Sequence, residues 1–169
     1  MLLQAGEYPV YYDQYLSHIQ GSDVYALLRV QLNEVEQLSG ILDEGRASYR
    51  YAEGKWSIKE LVGHLVDCER IMGYRASCIA RGEQQPLPGF DEDAYVAQAR
   101  FDNREFVSIV EEFLALRLAN IIMFDSLSAE ALANTGNANG HPVTVRAIIC
   151  IVAAHTQHHL TVLRERYQL

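Results

Sequence analysis

The chain has 169 residues, of which 49% are hydrophobic and 21% charged, and this composition predicts one globular domain over residues 1–169. Its 14 basic and 22 acidic residues give a formal net charge of −8, which argues against a general nucleic-acid binder. The three cysteines have no paired spacing, and no apolar stretch suits a membrane span or a signal peptide, so we expect a cytoplasmic protein without a membrane partner.

Apolar side chains at helical spacing predict a short helix over residues 11–18 and a first long helix over residues 22–42. The second long helix is expected over residues 57–80. Ser57 and Glu60 there have the spacing of a capping box, in which each side chain bonds a free amide at the helix start.

A third long helix is expected over residues 103–126 and a fourth over residues 144–167. The connection over residues 81–102 is long for a helical bundle. Its acidic cluster at residues 91–93 lacks the glycine and spacing of a calcium loop and indicates a solvated loop. No part of the chain shows sustained strand alternation, so we predict an all-α four-helix bundle with a long connection between helices 2 and 3.

Three histidines fall on the inward faces of two of these helices. His155 and His159 are four residues apart, one turn along the apolar stripe of the fourth helix, and His64 lies on the apolar side of the second. Burial of an unpartnered imidazole costs on the order of 1–3 kcal/mol. A divalent metal removes that cost, because each neutral imidazole donates a lone pair to it. The spacing therefore favours a metal site, although a single inward histidine is more often a hydrogen-bonded core residue.

The other candidate ligands are weaker. Cys68 lies one turn beyond His64 and can be a fourth ligand, but buried thiols are common core residues. His158 lies off the stripe, which indicates a helix or surface contact. We treat His141 and His18, which lie outside the long helices, as non-ligands.

The pattern around the histidines restricts the chemistry. Thr156 follows His155 where zinc proteases of the H-E-x-x-H type have their glutamate base, which argues against peptide hydrolysis. Three neutral ligands leave the metal with its full charge and an open position. Such a metal can lower the pKa of water or bind and deprotonate a thiol.

Polar residues on inward faces are the next candidates. Arg117 and Asn120 fall on the apolar stripe of the third helix, where they can hold a substrate group or mark a wet end of the bundle. Glu60 and Asp67 lie about one turn on either side of His64. Either can accept a proton from the second ring nitrogen of a ligand, although such acids are more often solvated.

Three longer sequence runs are distinctive: K-W-S-I-K-E-L-V-G-H at residues 55–64, G-H-P-V-T-V-R at 140–146 and H-T-Q-H-H-L at 155–160. Shorter ones are Glu69-Arg70, Tyr74-Arg75, Ala80-Arg81-Gly82 and Leu87-Pro88-Gly89-Phe90. Together these runs resemble the DinB/YfiT-like bundle proteins across nearly the whole chain.

This resemblance implies a four-helix bundle that holds one divalent ion, nickel or zinc, on His64, His155 and His159. It also implies a homodimer, and four tyrosines near the start of the chain can anchor an interface: Tyr8, Tyr11, Tyr12 and Tyr15. The family includes transferases of low-molecular-weight thiols and proteins described as metal-dependent hydrolases. Many relatives have glutamate where this chain has Thr156, which puts an acid–base role at that position in doubt.

The function expected from these observations is a metal-dependent enzyme acting on a small molecule. The favoured reaction transfers a low-molecular-weight thiol, as co-substrate, to an electrophile. One alternative is a hydrolase in which the metal activates water. The other is a non-catalytic metal- or ligand-binding stress protein.

Overall fold

The computed structural model describes residues 3–4 and 6–169, and it is mainly helical. In chain order the helices are α1 (Asp13–Leu16), α2 (Val24–Ile41), α3 (Glu44–Ala47), α4 (Ile58–Ala80), α5 (Glu92–Ala99), α6 (Phe106–Asp125), α7 (Ala129–Ala133) and α8 (Val145–Tyr167). Two strands, β1 (Thr135–Ala138) and β2 (His141–Thr144), lie between α7 and α8. Short 3-10 turns span Val10–Tyr12, Ser17–Ile19 and Phe101–Asn103.

The four long helices α2, α4, α6 and α8 form a bundle, which confirms the predicted fold, and their ends fall close to the predicted bounds. Helix α2 packs on α6 and α8, and α4 packs on the same two helices, so α2 and α4 lie diagonally across the bundle. Among the described residues, each helix is too short or too polar to cross a bilayer.

The start of α4 is fixed by the capping box predicted from the sequence. The Glu60 amide donates to Ser57 Oγ at 3.0 Å, and the Ser57 amide donates to Glu60 Oε2 at 2.8 Å. The Ser57 hydroxyl also donates to Asp102 Oδ1 at 2.6 Å. These bonds hold the first turn of α4 against the 3-10 turn that precedes α6.

The chain enters α8 through an antiparallel hairpin of β1 and β2, so the expectation of no strands was wrong here. Asn139 and Gly140 form its turn with φ angles of 54° and 78°. Positive φ at both central residues is the geometry of a type I′ hairpin turn, which favours Asn-Gly. The Leu87 amide donates to the Asn137 carbonyl at 2.9 Å, and this bond attaches the connection after α4 to the hairpin.

The acidic cluster in the long connection is also different from the solvated loop that was expected. Asp91 accepts a bond from the Ala94 amide at 3.0 Å and caps α5, and Glu92 and Asp93 occupy the first turn of that helix. Carboxylates are favourable at this end because the amides there are unpaired and the helix dipole is positive. Part of the connection, Glu92–Ala99, therefore folds as a short helix beside α4.

Candidate metal centre

Helices α4 and α8 bring the three predicted metal ligands together. His155 Nε2 lies 3.0 Å from His64 Nε2 and 3.1 Å from His159 Nε2. The three ligand atoms all lie within 4.8 Å of one another. In a tetrahedral zinc site with Zn–N bonds near 2.0–2.1 Å, ligand nitrogens are about 3.3 Å apart. The two shorter nitrogen–nitrogen distances, 3.0 Å and 3.1 Å, are therefore close to the spacing around a single divalent ion.

The electrostatics of the three rings also fit a metal. Burial lowers the pKa of His64 to about 4. Burial, and then the neighbouring imidazoles, hold the pKa values of His155 and His159 well below their ordinary value. All three rings are neutral near pH 7, so each can direct a lone pair to a cation. The donor set therefore suits zinc or nickel as well as other divalent ions.

Packing at the base of the site fixes the position of His64. The ring of Phe101 lies against the preceding residue, Gly63, where any side chain would overlap it. The Trp56 ring lies 4.9 Å from the His64 ring, centroid to centroid, and the Tyr15 ring lies 5.6 Å from that of His155. Aromatic groups thus flank the histidines from two sides.

Cys68 lies beside the histidines but outside their group of mutually close ligand atoms. Its Sγ is 3.7 Å from His64 Nε2 and 4.0 Å from His155 Nε2. Burial raises the pKa of its thiol well above the ordinary value, so Cys68 is protonated near neutral pH. The structure therefore places it as a neutral neighbour of the three histidines.

A cavity of about 300 Å³ opens over the three histidines. Its walls come from the N-terminal segment, α4, α8, α5 and the long connection. The larger side chains on these walls are Tyr11, Tyr12, Tyr15, Trp56, Glu69, Met72, Arg75, Phe90 and Glu92. This volume lies at the lower end of the range for small-molecule sites, so the cavity suits a small ligand.

The two residues predicted as substrate contacts lie inside the bundle, and neither lines this cavity. Arg117 Nε donates to Glu69 Oε1 at 2.8 Å, and Asn120 Nδ2 donates to Glu69 Oε2 at 2.8 Å. Arg117 Nη2 also donates to the hydroxyl of Thr156 at 2.7 Å. Both side chains thus hold Glu69, which does line the cavity, and they fix Thr156 through Arg117.

His158, Glu60 and Asp67 all lie outside the group of mutually close ligand atoms. The His158 ring packs on those of Tyr15 and His18, at centroid distances of 5.2 Å and 5.5 Å. Glu60 is occupied by the capping box and by an ion pair with Arg50. Asp67 is half-buried, which raises its pKa. In the part of the chain that the structure describes, neither acid bonds a ligand histidine.

Sequence reasoning missed several residues of the cavity. Trp56, Glu69 and Arg75 line it, and Arg75 follows His64 by eleven residues, which is about three helical turns and the same face of α4. This spacing was the signal in the sequence that could have placed Arg75 on the same side of α4 as His64. Of the N-terminal tyrosines proposed for a dimer interface, Tyr11, Tyr12 and Tyr15 line the cavity and Tyr8 packs on the core, while Tyr11 is also 46% exposed. A homodimer stays a prediction.

Comparison with solved structures confirms the fold. The chain superposes on YfiT from Bacillus subtilis, described as a probable metal-dependent hydrolase with an unusual four-helix bundle topology, with a TM-score of 0.71 and 14% identity over 99% of this chain and 92% of that one. It superposes on the mycothiol-dependent maleylpyruvate isomerase with a TM-score of 0.64 and 12% identity, covering 94% of this chain and 62% of the other.

Comparison by sequence identifies the family. The chain is 24% identical over 130 residues to a protein of Oceanobacillus iheyensis whose name assigns it provisionally to the metal-dependent hydrolases, covering 76% of this chain and 74% of that protein. The sequence profile of the DinB superfamily matches residues 27–163, a range that includes all three candidate ligand histidines. Since that match spans most of the chain, the protein belongs to the DinB superfamily.

Proposed function

We propose that this protein is a metal-dependent enzyme that transfers a low-molecular-weight thiol to an electrophilic small molecule. The main support is the convergence of three neutral imidazole rings beneath a cavity of ligand size. His155 Nε2 lies 3.0 Å from His64 Nε2 and 3.1 Å from His159 Nε2. With no carboxylate among His64, His155 and His159, a bound divalent ion keeps its full charge and can lower the pKa of a thiol that reaches it.

The bases available in the cavity favour a thiol over water as the nucleophile. Both oxygens of Glu69 accept bonds from Arg117 and Asn120. Glu92 is exposed in the first turn of α5. The Thr156 hydroxyl accepts the bond from Arg117 and has no carboxylate to offer. A thiol ionises near pH 8.5 and water near 15.7, so a thiol needs far less help from a protein base.

The walls of the cavity suit an apolar electrophile. Trp56 and Tyr15 offer aromatic faces beside the histidines, and Phe90 lines the same cavity. Burial of such rings against a substrate supplies binding free energy without fixing its chemistry. These side chains would hold the electrophile while the three histidines position the reacting thiol.

Hydrolysis is the second candidate, and one observation favours it. Glu69 borders the cavity, and it is the buried one of the two carboxylates there that resemble a hydrolytic base, since Glu92 is exposed. The Oceanobacillus relative, named as a hydrolase, points the same way. Hydrolysis would require Glu69 to exchange one of its present hydrogen bonds for a bond to water.

The test offers the metal-loaded protein bromobimane together with glutathione, bacillithiol, mycothiol or coenzyme A, and follows conjugate formation by fluorescence. We expect conjugation with at least one thiol, lost after chelation and in His159→Ala. His158→Ala is the matched control, since that ring lies one residue away and outside the ligand group. Ester or amide hydrolysis with the same metal and histidine dependence, and no conjugation, would assign the site to a hydrolase. If the protein shows neither conjugation nor hydrolysis, the remaining candidate is the non-catalytic metal- or ligand-binding protein.

A further inference from the structure

Three cationic side chains are buried in the described part of the chain: Lys59, Arg75 and Arg117. Lys59 pairs with Glu44 at 2.5 Å, and Arg117 pairs with Glu69 at 2.5 Å. Arg75 is 4% exposed, and no acidic residue in the described ranges pairs with it. A buried cation without a counter-ion is costly, because its desolvation is uncompensated.

The contacts of Arg75 leave much of its guanidinium free. Nη2 donates to the carbonyl of Pro88 at 2.6 Å, and Nη1 lies 3.6 Å from the sulfur of Met72. A guanidinium has five N–H donors in a planar fork, which matches both oxygens of a carboxylate. These two contacts and the Phe90 ring, whose centroid lies 6.0 Å from Arg75 Cζ, hold the fork in place, and its other N–H donors form no hydrogen bond within the described residues.

The position of Arg75 relates these donors to the metal centre. Arg75 lines the same cavity as the three histidines, and it follows His64 on the same face of α4. The helix rise puts the two backbone positions about 16 Å apart. Long side chains on a helix lean toward its N-terminus, and the contact with Met72 shows that Arg75 does so. An elongated molecule can therefore reach both the guanidinium and the histidines.

One wall of the cavity carries a buried cation, although the protein as a whole is acidic. The chain has a formal net charge of −8, yet the far wall of the cavity presents an unpaired cation. Glu92 also lines the cavity, but it is exposed and forms no ion pair with Arg75. A positive group held inside an acidic protein attracts a small anion and gives it one orientation.

We propose that Arg75 binds the carboxylate, or a chemically similar oxyanion, of the molecule that occupies this cavity. The choice of site rests on the proposed function. The proposal adds the substrate class, which is an elongated anion with its charged end at Arg75 and its reacting end near the histidines. The anionic group can belong to the thiol or to the electrophile.

The chain carries its own reporter for this test. Trp56 is the single tryptophan, and it lines the cavity. Its fluorescence is recorded on the chelated, full-length protein while 4-phenylbutyrate or its uncharged amide is added. We expect the acid to bind about tenfold or more tightly than the amide, as loss of a charged hydrogen bond implies. Arg75→Gln should abolish this preference and leave the amide affinity unchanged.

Arg70→Gln is the matched control, because Arg70 lies on the same helix, exposed and paired with Glu112. It should keep the full preference for the acid. Arg75→Lys keeps the charge without the fork and should keep part of it, and circular dichroism shows that each variant is folded. The same titration with 3-mercaptopropionate and its amide identifies the source: a preference confined to this pair assigns the anion to the thiol, and one confined to phenylbutyrate assigns it to the electrophile.

Equal affinities of the wild-type protein for acid and amide in both pairs would overturn the proposal, whether or not Arg75→Gln folds. So would an acid preference that survives in a folded Arg75→Gln. Because the titration uses chelated protein and no turnover, its outcome is separate from the conjugation assay. Anion binding without conjugation would leave Arg75 assigned and the transferase reaction rejected.

Discussion

The ring of Phe101 covers the backbone of Gly63 so closely that a Cβ at position 63 would lie 2.3 Å from a ring carbon. The residue that follows is His64, the metal ligand that we propose for α4. The 3-10 turn that carries Phe101 is in turn held to the start of α4 by the bond from Ser57 to Asp102. The contact between Gly63 and Phe101 thus sets how the ligand-bearing helix lies in the bundle.

Gly63→Ala should lower the free energy of unfolding by about 1–3 kcal/mol, because Phe101 must move to admit one methyl group. Urea unfolding of the chelated protein, followed by circular dichroism, measures this change. Gly40→Ala in α2 is the control: its added Cβ meets no atom within 4 Å, so it should stabilise the helix by up to about 1 kcal/mol. Equal effects at the two positions would contradict the packing argument.

Removal of any one ligand histidine should weaken metal binding by at least about tenfold, since loss of a direct ligand exceeds the roughly 10–100-fold effect of changing its supporting partners. The variants are His64→Ala, His155→Ala and His159→Ala, measured by competition with a chromophoric chelator. His158→Ala should keep the wild-type affinity. Unchanged affinity in all three ligand variants would refute the site.

The protein should stay folded without its metal. The four long helices bury two apolar clusters of the size expected for a chain of 169 residues, so no structural ion is required. Far-UV circular dichroism after chelation should remain strongly helical, with a lower melting temperature than the metal-loaded form. A coil spectrum would make the metal structural instead.

The buried pair of Glu69 and Arg117 should be sensitive to loss of one partner. Their side chains are 2% and 0% exposed. Arg117→Met leaves the Glu69 carboxylate buried without its cation and should destabilise by about 3–5 kcal/mol. The double variant Glu69→Gln/Arg117→Met should recover part of that loss in the same urea experiment. If the double variant lost as much unfolding free energy as the two single variants added together, coupling between Glu69 and Arg117 would be ruled out.

Glu112 should make a pH-dependent contribution to stability. Burial alone would raise its pKa, but hydrogen bonds from Arg104 and Arg70 outweigh burial and lower the pKa below the ordinary 4.5. A lowered carboxyl pKa stabilises the folded state above about pH 4.5, and this stabilisation is lost as the pH falls through the folded value. Glu112→Gln should therefore be less stable at pH 7 by less than about 1 kcal/mol, and the difference should vanish in acid. A difference independent of pH would contradict it.

The bundle helices could be predicted from the sequence because each long helix carries a continuous apolar stripe and clear end signals, such as Ser57 with Glu60 and the Thr144 cap. Apart from the short helix expected over residues 11–18, where α1 lies, the short elements could not be predicted. Helix α5 buries only Val96, so its sequence lacks an amphipathic period. The hairpin had one local signal in the sequence, the pair Asn139–Gly140. Asn-Gly is favoured in type I′ hairpin turns because both central residues adopt positive φ angles there.

The residues of the site also fall into those that the sequence could predict and those that it could not. Spacing within one helix predicted His155 and His159 together, and an inward face predicted His64. Whether Arg117 met a substrate or another side chain depended on how α6 lies against α4, which no spacing within one helix determines. The contact with Glu69, 48 residues away, was therefore found only in the structure.

The separation of the ligands along the chain has a consequence for folding. His155 and His159 lie one turn apart, so a newly formed α8 already presents two ligand nitrogens to an ion. His64 is 91 residues from His155, and it reaches them only when α4 docks on α8. Closure of so long a loop is slow, because its entropy is lost before the contact forms. An ion captured early by α8 would gain its third ligand only in the native topology, and would therefore slow unfolding more than it speeds folding.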